Sequence, residues 1–227
     1  MLSHDEAVAL LEKYGVTPGV MEHINAVHKY AMEIADQIEC DKNLVDVGSL
    51  LHDIGRTRTH NIDHNVVGAK ILRDEGIDDR IIKIVERHVG AGLTPEEAEK
   101  LGLPPGDYVP ETIEEKIVGH ADNLIGSNER VSILETIKIA RDKWFSGSVD
   151  RLIQFHFEVF TPSEISFSVD SVTDKEKFRT TMENLDVLLK DYDVLYKVMR
   201  KGKYYTISLY GQESGKAGEF LIKELAL

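Results

Sequence analysis

The chain has 227 residues, enough for one large domain or two small ones at about 150 residues per domain. A hydrophobic share of 42% beside 30% charged residues excludes wholesale disorder and collagen-like sequence, and no run of about 18 apolar residues is present to cross a membrane. The net charge of -13 is uneven: residues 1–127 hold 12 Lys and Arg against 24 Asp and Glu, whereas residues 128–227 hold 15 against 16, so the first half repels a phosphate backbone and nucleic acid is not an expected partner.

Cys40 is the single cysteine, which excludes an internal disulfide and a thiolate metal site; any metal must be held by nitrogen and oxygen. Ser3, His4, Asp5 and Glu6 follow Met1 at once, against a signal peptide, and a cytoplasmic location is expected.

Helix signals come in series. Ser3 with Glu6 is a capping box that starts a helix ending before Gly15, and Thr17-Pro18 starts a longer one, to about Glu39. Asp41 caps a third, about 42–53, with Leu44, Val47 and Leu51 at helical spacing, and Gly55 then opens a polar loop. Further helices are expected over 64–75, 78–88, from Thr94 to Leu101, from Thr112 to about Ser127, and over 129–143 and 148–160. Composition changes at Thr161, Pro162 and Ser163. Ile165, Phe167 and Val169 then alternate as a strand does, 174–192 reads as one amphipathic helix, strand-like runs 193–200 and 203–210 flank Lys201-Gly202, and a last helix starts at Ser214. The fold class is therefore α+β: an all-α helical bundle over 1–161 followed by a small β-α-β-β-α domain over 162–227.

Eight of the nine histidines lie in the first 120 residues. On the second helix, Val20, His23, Val27, Ala31, Ile34 and Ile38 share one inward stripe, with His28 on its edge. His64 shares a face with Val67, Gly68 and Ile71, and His88 extends the stripe Ile77, Ile81, Ile84. A single inward histidine is most often a core residue with a hydrogen bond. Several imidazoles buried with a carboxylate cost several kcal/mol without partners, and a shared divalent cation satisfies them together. His52 and Asp53, at a helix end opened by Gly55, supply such a carboxylate. In the stretch Glu115 to Leu124, His120 borders one edge of the Ile117, Ala121, Leu124 stripe and Asp122 the other, and geometry does not choose between them.

The order His23, His52-Asp53, distant Asp122 resembles the HD superfamily of metal-dependent phosphohydrolases, and Leu51, His52, Asp53, Ile54, Gly55 resembles its HDIG subgroup. The likeness covers about residues 17–160, and the closest overall likeness is to an archaeal-type group of uncharacterised HDIG proteins. Its pattern selects Asp122 over His120. His64, with Gly68 four residues on, and His88, before Val89-Gly90, resemble the third and fourth histidines of the binuclear branch. That branch includes cyclic-dinucleotide phosphodiesterases with a Gly-Tyr-Pro triplet where this chain has Val89, Gly90, Ala91, a departure that counts against cyclic-di-GMP hydrolysis.

The resemblance implies a helical HD domain and a metal set of His23, His52, Asp53, His64, His88 and Asp122, holding two divalent ions of iron, manganese, nickel or cobalt, with magnesium an option. Asp53 would bridge them, and Asp53 and Arg56 are the expected catalytic residues. Arg58 and Arg87 are further candidates for phosphate. The expected activity is hydrolysis of a phosphate ester or anhydride of a small nucleotide-like substrate by metal-activated water. The alternative is a regulatory nucleotide sensor with little turnover, residues 162–227 serving as its output or dimerisation module, and a homodimer is compatible with either. An RNA end-processing hydrolase is disfavoured by the acidic first half. His156, on the stripe Val149, Leu152, Ile153, Phe160, reads as a core histidine, and His28, His60 and His120 are left unassigned.

Overall fold

The structure is a computed structural model that describes residues 2–225 and 227. Contacts divide the chain into two compact units, Met1–Val131 with Thr136–Phe155, and Ser132–Glu135 with His156–Leu227. Among the described residues no helix is long and apolar enough to cross a membrane.

The first unit is helical. Ser3 and Glu6 form the capping box that opens α1 (His4–Tyr14), and Gly15 ends it in the left-handed region at φ 72°. Next come α2 (Pro18–Ala35) and α3 (Lys42–Leu51), the latter capped by the Asp41 carboxylate on the backbone N–H groups of Asn43 and Leu44. A 3-10 turn over Ile54–Thr57 leads toward α4 (His64–Asp74), α5 (Asp79–Arg87), α6 (Pro95–Lys100) and α7 (Ile113–Asn123). α2 packs on α3 and α7, and α4 on α5. Leu11, Ile24, Ile34, Leu51, Leu72 and Ile117 are among the fully buried side chains between them. Each removes most of its apolar area from water, a gain of about 1.5–3 kcal/mol per side chain.

Two helices stop short of the expected positions. α2 ends at Ala35, where the Gln37 side chain donates to the Glu33 carbonyl, so Ile38 lies beyond the helix. Its buried stripe runs through Ile24, Val27, Ala31 and Ile34, which leaves His23 on the edge with a half-buried ring. α7 ends at Asn123, not Ser127, because the chain turns back through an isolated bridge of Ile125 with Arg130. α8 (Ile133–Lys143) accordingly starts later than residue 129, where the Ser132 hydroxyl accepts from the Glu135 N–H, and α9 (Ser146–Val159) follows.

In the second unit, β1 (Ser163–Ser168), β2 (Leu195–Lys201) and β3 (Tyr204–Tyr210) form an antiparallel sheet in the order β1-β3-β2, with Ile165 opposite Ile207 and Val198 opposite Ile207 on the other side. The expected single helix over 174–192 is two, α10 (Lys175–Glu183) and α11 (Leu185–Leu188). Asn184 separates them at φ -120°, its side-chain N–H donating to the Thr180 carbonyl. Asparagine competes in this way for backbone groups that a continuous helix would use. α12 (Ser214–Glu224) buries Ala217 and Leu221 in a core with Ile165, Phe167, Ile207 and Leu209. The architecture is α+β.

Candidate metal centre

Why the chain brings distant residues together here begins with Gly55. A Cβ at that position would lie 1.9 Å from the His64 carbonyl oxygen and 2.7 Å from the Gly68 nitrogen. Only glycine permits this approach of the 3-10 turn to the start of α4. It places His52 and Asp53, at the end of α3, beside His64. His52 keeps helical dihedrals as the C-cap of α3, whereas Asp53 moves to φ -102°, ψ 14°, and that change of direction lets adjacent side chains face the same point. α5 adds His88 at its C-cap, α2 adds His23 and α7 adds Asp122.

Four imidazoles share one orientation. Nδ1 of His23, His52, His64 and His88 lies 3.0, 2.7, 2.8 and 2.7 Å from the backbone carbonyls of Ser127, Ser49, Asn61 and Val85. A carbonyl only accepts, so each Nδ1 donates, and a neutral ring then presents a bare lone pair at Nε2. Those lone pairs converge. His64 Nε2 and His88 Nε2 are 3.1 Å apart, and they lie 3.3 and 3.6 Å from Asp53 Oδ1. On the other side of the same carboxylate, Asp53 Oδ2 is 3.8 Å from both His23 Nε2 and His52 Nε2. Asp122 Oδ1 closes that group, 3.0 Å from His23 Nε2 and 3.7 Å from His52 Nε2.

Each oxygen of Asp53 thus faces its own pair of imidazoles. Donors of this kind repel one another unless positive charge lies among them. Arg56 supplies one positive charge, its Nε donating to Asp53 Oδ2 at 2.6 Å. The buried Nε2 of His52 makes no hydrogen bond. An orphaned buried nitrogen beside two carboxylates fits a divalent cation, and nitrogen with oxygen donors suits iron, manganese, cobalt or nickel. Two three-donor groups meet this description, His23 with His52 and Asp53, and Asp53 with His64 and His88.

The titration behaviour follows from the same charges. Burial opposes the Asp53 carboxylate, but His52, His88 and Arg56 outweigh it and hold the group far below the usual carboxylate range. Burial pushes His64 down to about 4, with His88 adding to the effect, and burial also depresses His52. Burial opposes the imidazolium forms of His23 and His88 too; Asp122 against His23, and Asp53 with Asp122 against His88, raise both above the ordinary histidine value. Neighbouring groups pushed in opposite directions are characteristic of sites that bind or transfer charge.

All six sequence-derived metal candidates and Arg56 fall in this cluster. Other candidates go elsewhere. Arg87 is taken up by ion pairs with Glu111 and Glu115 at 3.0 and 2.9 Å, which removes it as a phosphate ligand, and Arg58 lies over the Tyr14 ring. His60 is exposed. His28 turns to Asp46, whose Oδ1 also receives His4, at 2.7 and 2.9 Å. His120 is buried within α7.

Two clefts open on the centre, and Arg56 lines both. One, of about 330 Å³, is bounded by His23, Gly126 and Ser127. The other, of about 470 Å³, runs from His64 along residues 89–93 to Trp144 and Phe145. The sequence reading missed those aromatic residues, although Trp144 is the only tryptophan in the chain.

Residues 20–126 match the HD domain family. The chain is 48% identical over 155 residues to a tRNA (cytidine(56)-2'-O)-methyltransferase of Picrophilus torridus, a match covering 68% of this chain and 46% of that protein. It is 52% identical over 142 residues to an uncharacterised protein of Methanocaldococcus jannaschii, covering 60% of this chain and 83% of that one. Among solved structures, the HD domain of the Listeria monocytogenes phosphodiesterase PgpH, in complex with cyclic-di-AMP, is similar at 21% identity and a TM-score of 0.46, covering 65% of this chain and 92% of that one. The chain belongs to the HD-domain family. It spans under half the length of the methyltransferase relatives that it matches.

Proposed function

We propose that the chain is a metal-dependent phosphohydrolase that cleaves a phosphate ester or anhydride of a small nucleotide-like substrate. The observation that carries this reading is the split arrangement around Asp53, with Oδ1 facing His64 and His88 and Oδ2 facing His23 and His52. His23, His52 and Asp122 would hold one divalent cation, His64 and His88 a second, and Asp53 would be shared. Such a pair supplies Lewis-acid polarisation of phosphoryl oxygens and a water of lowered pKa.

The chain's own residues do the rest. Four backbone carbonyls hold the imidazoles in one tautomer and orientation, so little reorganisation is needed when charge develops at phosphorus. Arg56, at the junction of the two clefts, is placed to clamp a phosphoryl oxygen and neutralise developing charge. Its hydrogen bond to Asp53 fixes that position. Methyl transfer, the activity in the name of the longer relatives, is not proposed for this chain, which spans under half of their length.

Metal content of the purified full chain and a phosphatase screen over nucleotides and simple phosphate esters test the reading. The expected result is close to two ions per chain, falling toward one in His64→Ala and His88→Ala, with turnover of at least one ester. One tightly held ion that neither substitution disturbs overturns the two-ion assignment, and absence of turnover on every ester overturns the hydrolase.

A further inference from the structure

The larger cleft beside His64 differs in chemistry from the acidic half of the chain that contains most of it. Its lining includes Arg56 and Lys143 and no carboxylate, although residues 1–127 carry 24 Asp and Glu. It is also apolar: Ile62 and Leu101, each 39% exposed, are two of the large hydrophobic side chains that the protein leaves open to water, and both line it. Exposed apolar side chains gathered in one concavity mark a ligand surface more often than a packing fault.

One wall is flat. Residues 89–92 follow His88 directly, and Gly90 and Gly92 hold φ of 58° and 76°, a conformation that glycine adopts without strain. The Asn123 side chain donates to the Gly90 carbonyl at 2.7 Å and fixes this loop against α7. Trp144 and Phe145, in the turn between α8 and α9, line the same cleft. The Trp144 ring lies near Gly90, where a Cβ would reach it at 3.8 Å. The indole thus packs on Gly90 and, half-buried, also lines the cleft, and an indole face binds any aromatic base by stacking.

We propose that this cleft seats the nucleobase of a mononucleoside phosphate, with Trp144 as the stacking wall and Lys143 and Arg56 leading the phosphate toward His64 and Asp53. The assignment rests on the phosphohydrolase reading and deepens it by naming the substrate class and its specificity-determining residue. A volume of about 470 Å³ has room for one base with its sugar, which favours a mononucleoside phosphate over a longer oligonucleotide.

Because Trp144 is the only tryptophan, its fluorescence reports the cleft without any need for turnover. The full chain is titrated with the four common nucleoside 5'-monophosphates and with ribose 5-phosphate, and binding is measured in parallel by calorimetry. Stacking quenches the emission by a third or more with at least one nucleotide, whereas ribose 5-phosphate leaves it unaltered. Trp144→Ala raises KM for that nucleotide about tenfold more than it raises KM for ribose 5-phosphate, and Trp144→Phe restores most of the difference. Nucleotide binding without quenching, equal responses to nucleotide and ribose 5-phosphate, or no nucleotide binding at all each overturn the proposal. Quenching without hydrolysis of any ester leaves the base site standing and removes the hydrolase, while hydrolysis of ribose 5-phosphate without nucleotide quenching does the reverse.

Discussion

His88 in the first unit and His156 in the second are equally buried, each 1% exposed, yet their surroundings differ in kind. His156 Nε2 donates to the Tyr210 carbonyl at 3.0 Å, and its ring leans on Phe160. His88 donates through Nδ1 to a carbonyl of its own helix and turns Nε2 toward His64 and Asp53. Burial is therefore no guide to a site. What separates the two is convergence, four imidazoles with the same nitrogen anchored and the other aimed at one carboxylate.

The largest expected effect follows from that difference. Asp53 is the one group facing both imidazole pairs, so Asp53→Ala should lower hydrolysis by at least about 10³-fold and reduce bound metal together with the thermal stabilisation that metal confers. His156→Gln should leave both properties at the wild-type level, since glutamine can still donate to Tyr210. Elemental analysis and activity on the two purified variants decide the matter. Equal losses would mean that core damage, and not a site, explains the effect at Asp53.

The two units also differ in what their glycines permit, beginning with Gly55. A methyl group there meets the His64 carbonyl at 1.9 Å, a contact that only movement of the turn or of α4 can relieve. Gly55→Ala should cost about 3 kcal/mol or more in urea unfolding, at the upper end of overpacking effects, and should weaken metal binding by separating His64 from Asp53. A change under about 0.5 kcal/mol would show that the two segments approach less closely. Gly215, in α12 of the second unit, has nothing within 4 Å of such a methyl group, and Gly215→Ala should be neutral or stabilising by up to about 1 kcal/mol.

Local chemistry made most of the helices legible. Ser3 with Glu6, Asp41, Thr94 with Glu97, and Thr112 each cap the helix expected of them, because a cap is settled within four residues. The early end of α7 was not legible, since its reason is tertiary: the turn after Asn123 delivers the Ser127 carbonyl to His23, 104 residues away in sequence. The inward histidines were visible as faces of separate helices, but not which Asp53 oxygen each would meet. His28 turned out to serve Asp46, a partnership across two helices that periodicity cannot show. Trp144 is not legible for a similar reason, because its cleft joins residues near 56–64, 89–93 and 143–148 that no single motif spans.

The contrast between the two histidines extends to pH. Burial depresses its pKa to about 4, against the pull of the Tyr210 carbonyl in the other direction. An unfolded histidine titrates near 6.5. Between those values the unfolded chain takes up a proton that the folded chain refuses, so this group's contribution to stability is present above pH 6.5 and falls as the pH drops toward 4. The size is roughly 2–3 kcal/mol across the window. Burial takes His64 of the centre down to about 4 as well, which is why the measurement must be a difference between wild type and His156→Gln. The variant should lose less stability than wild type on acidification from pH 7 to 4.5, the two curves converging as the pH falls. Parallel curves would mean that His156 is free to accept a proton in the folded state, and the contrast with His88 would then lie in hydrogen bonding alone.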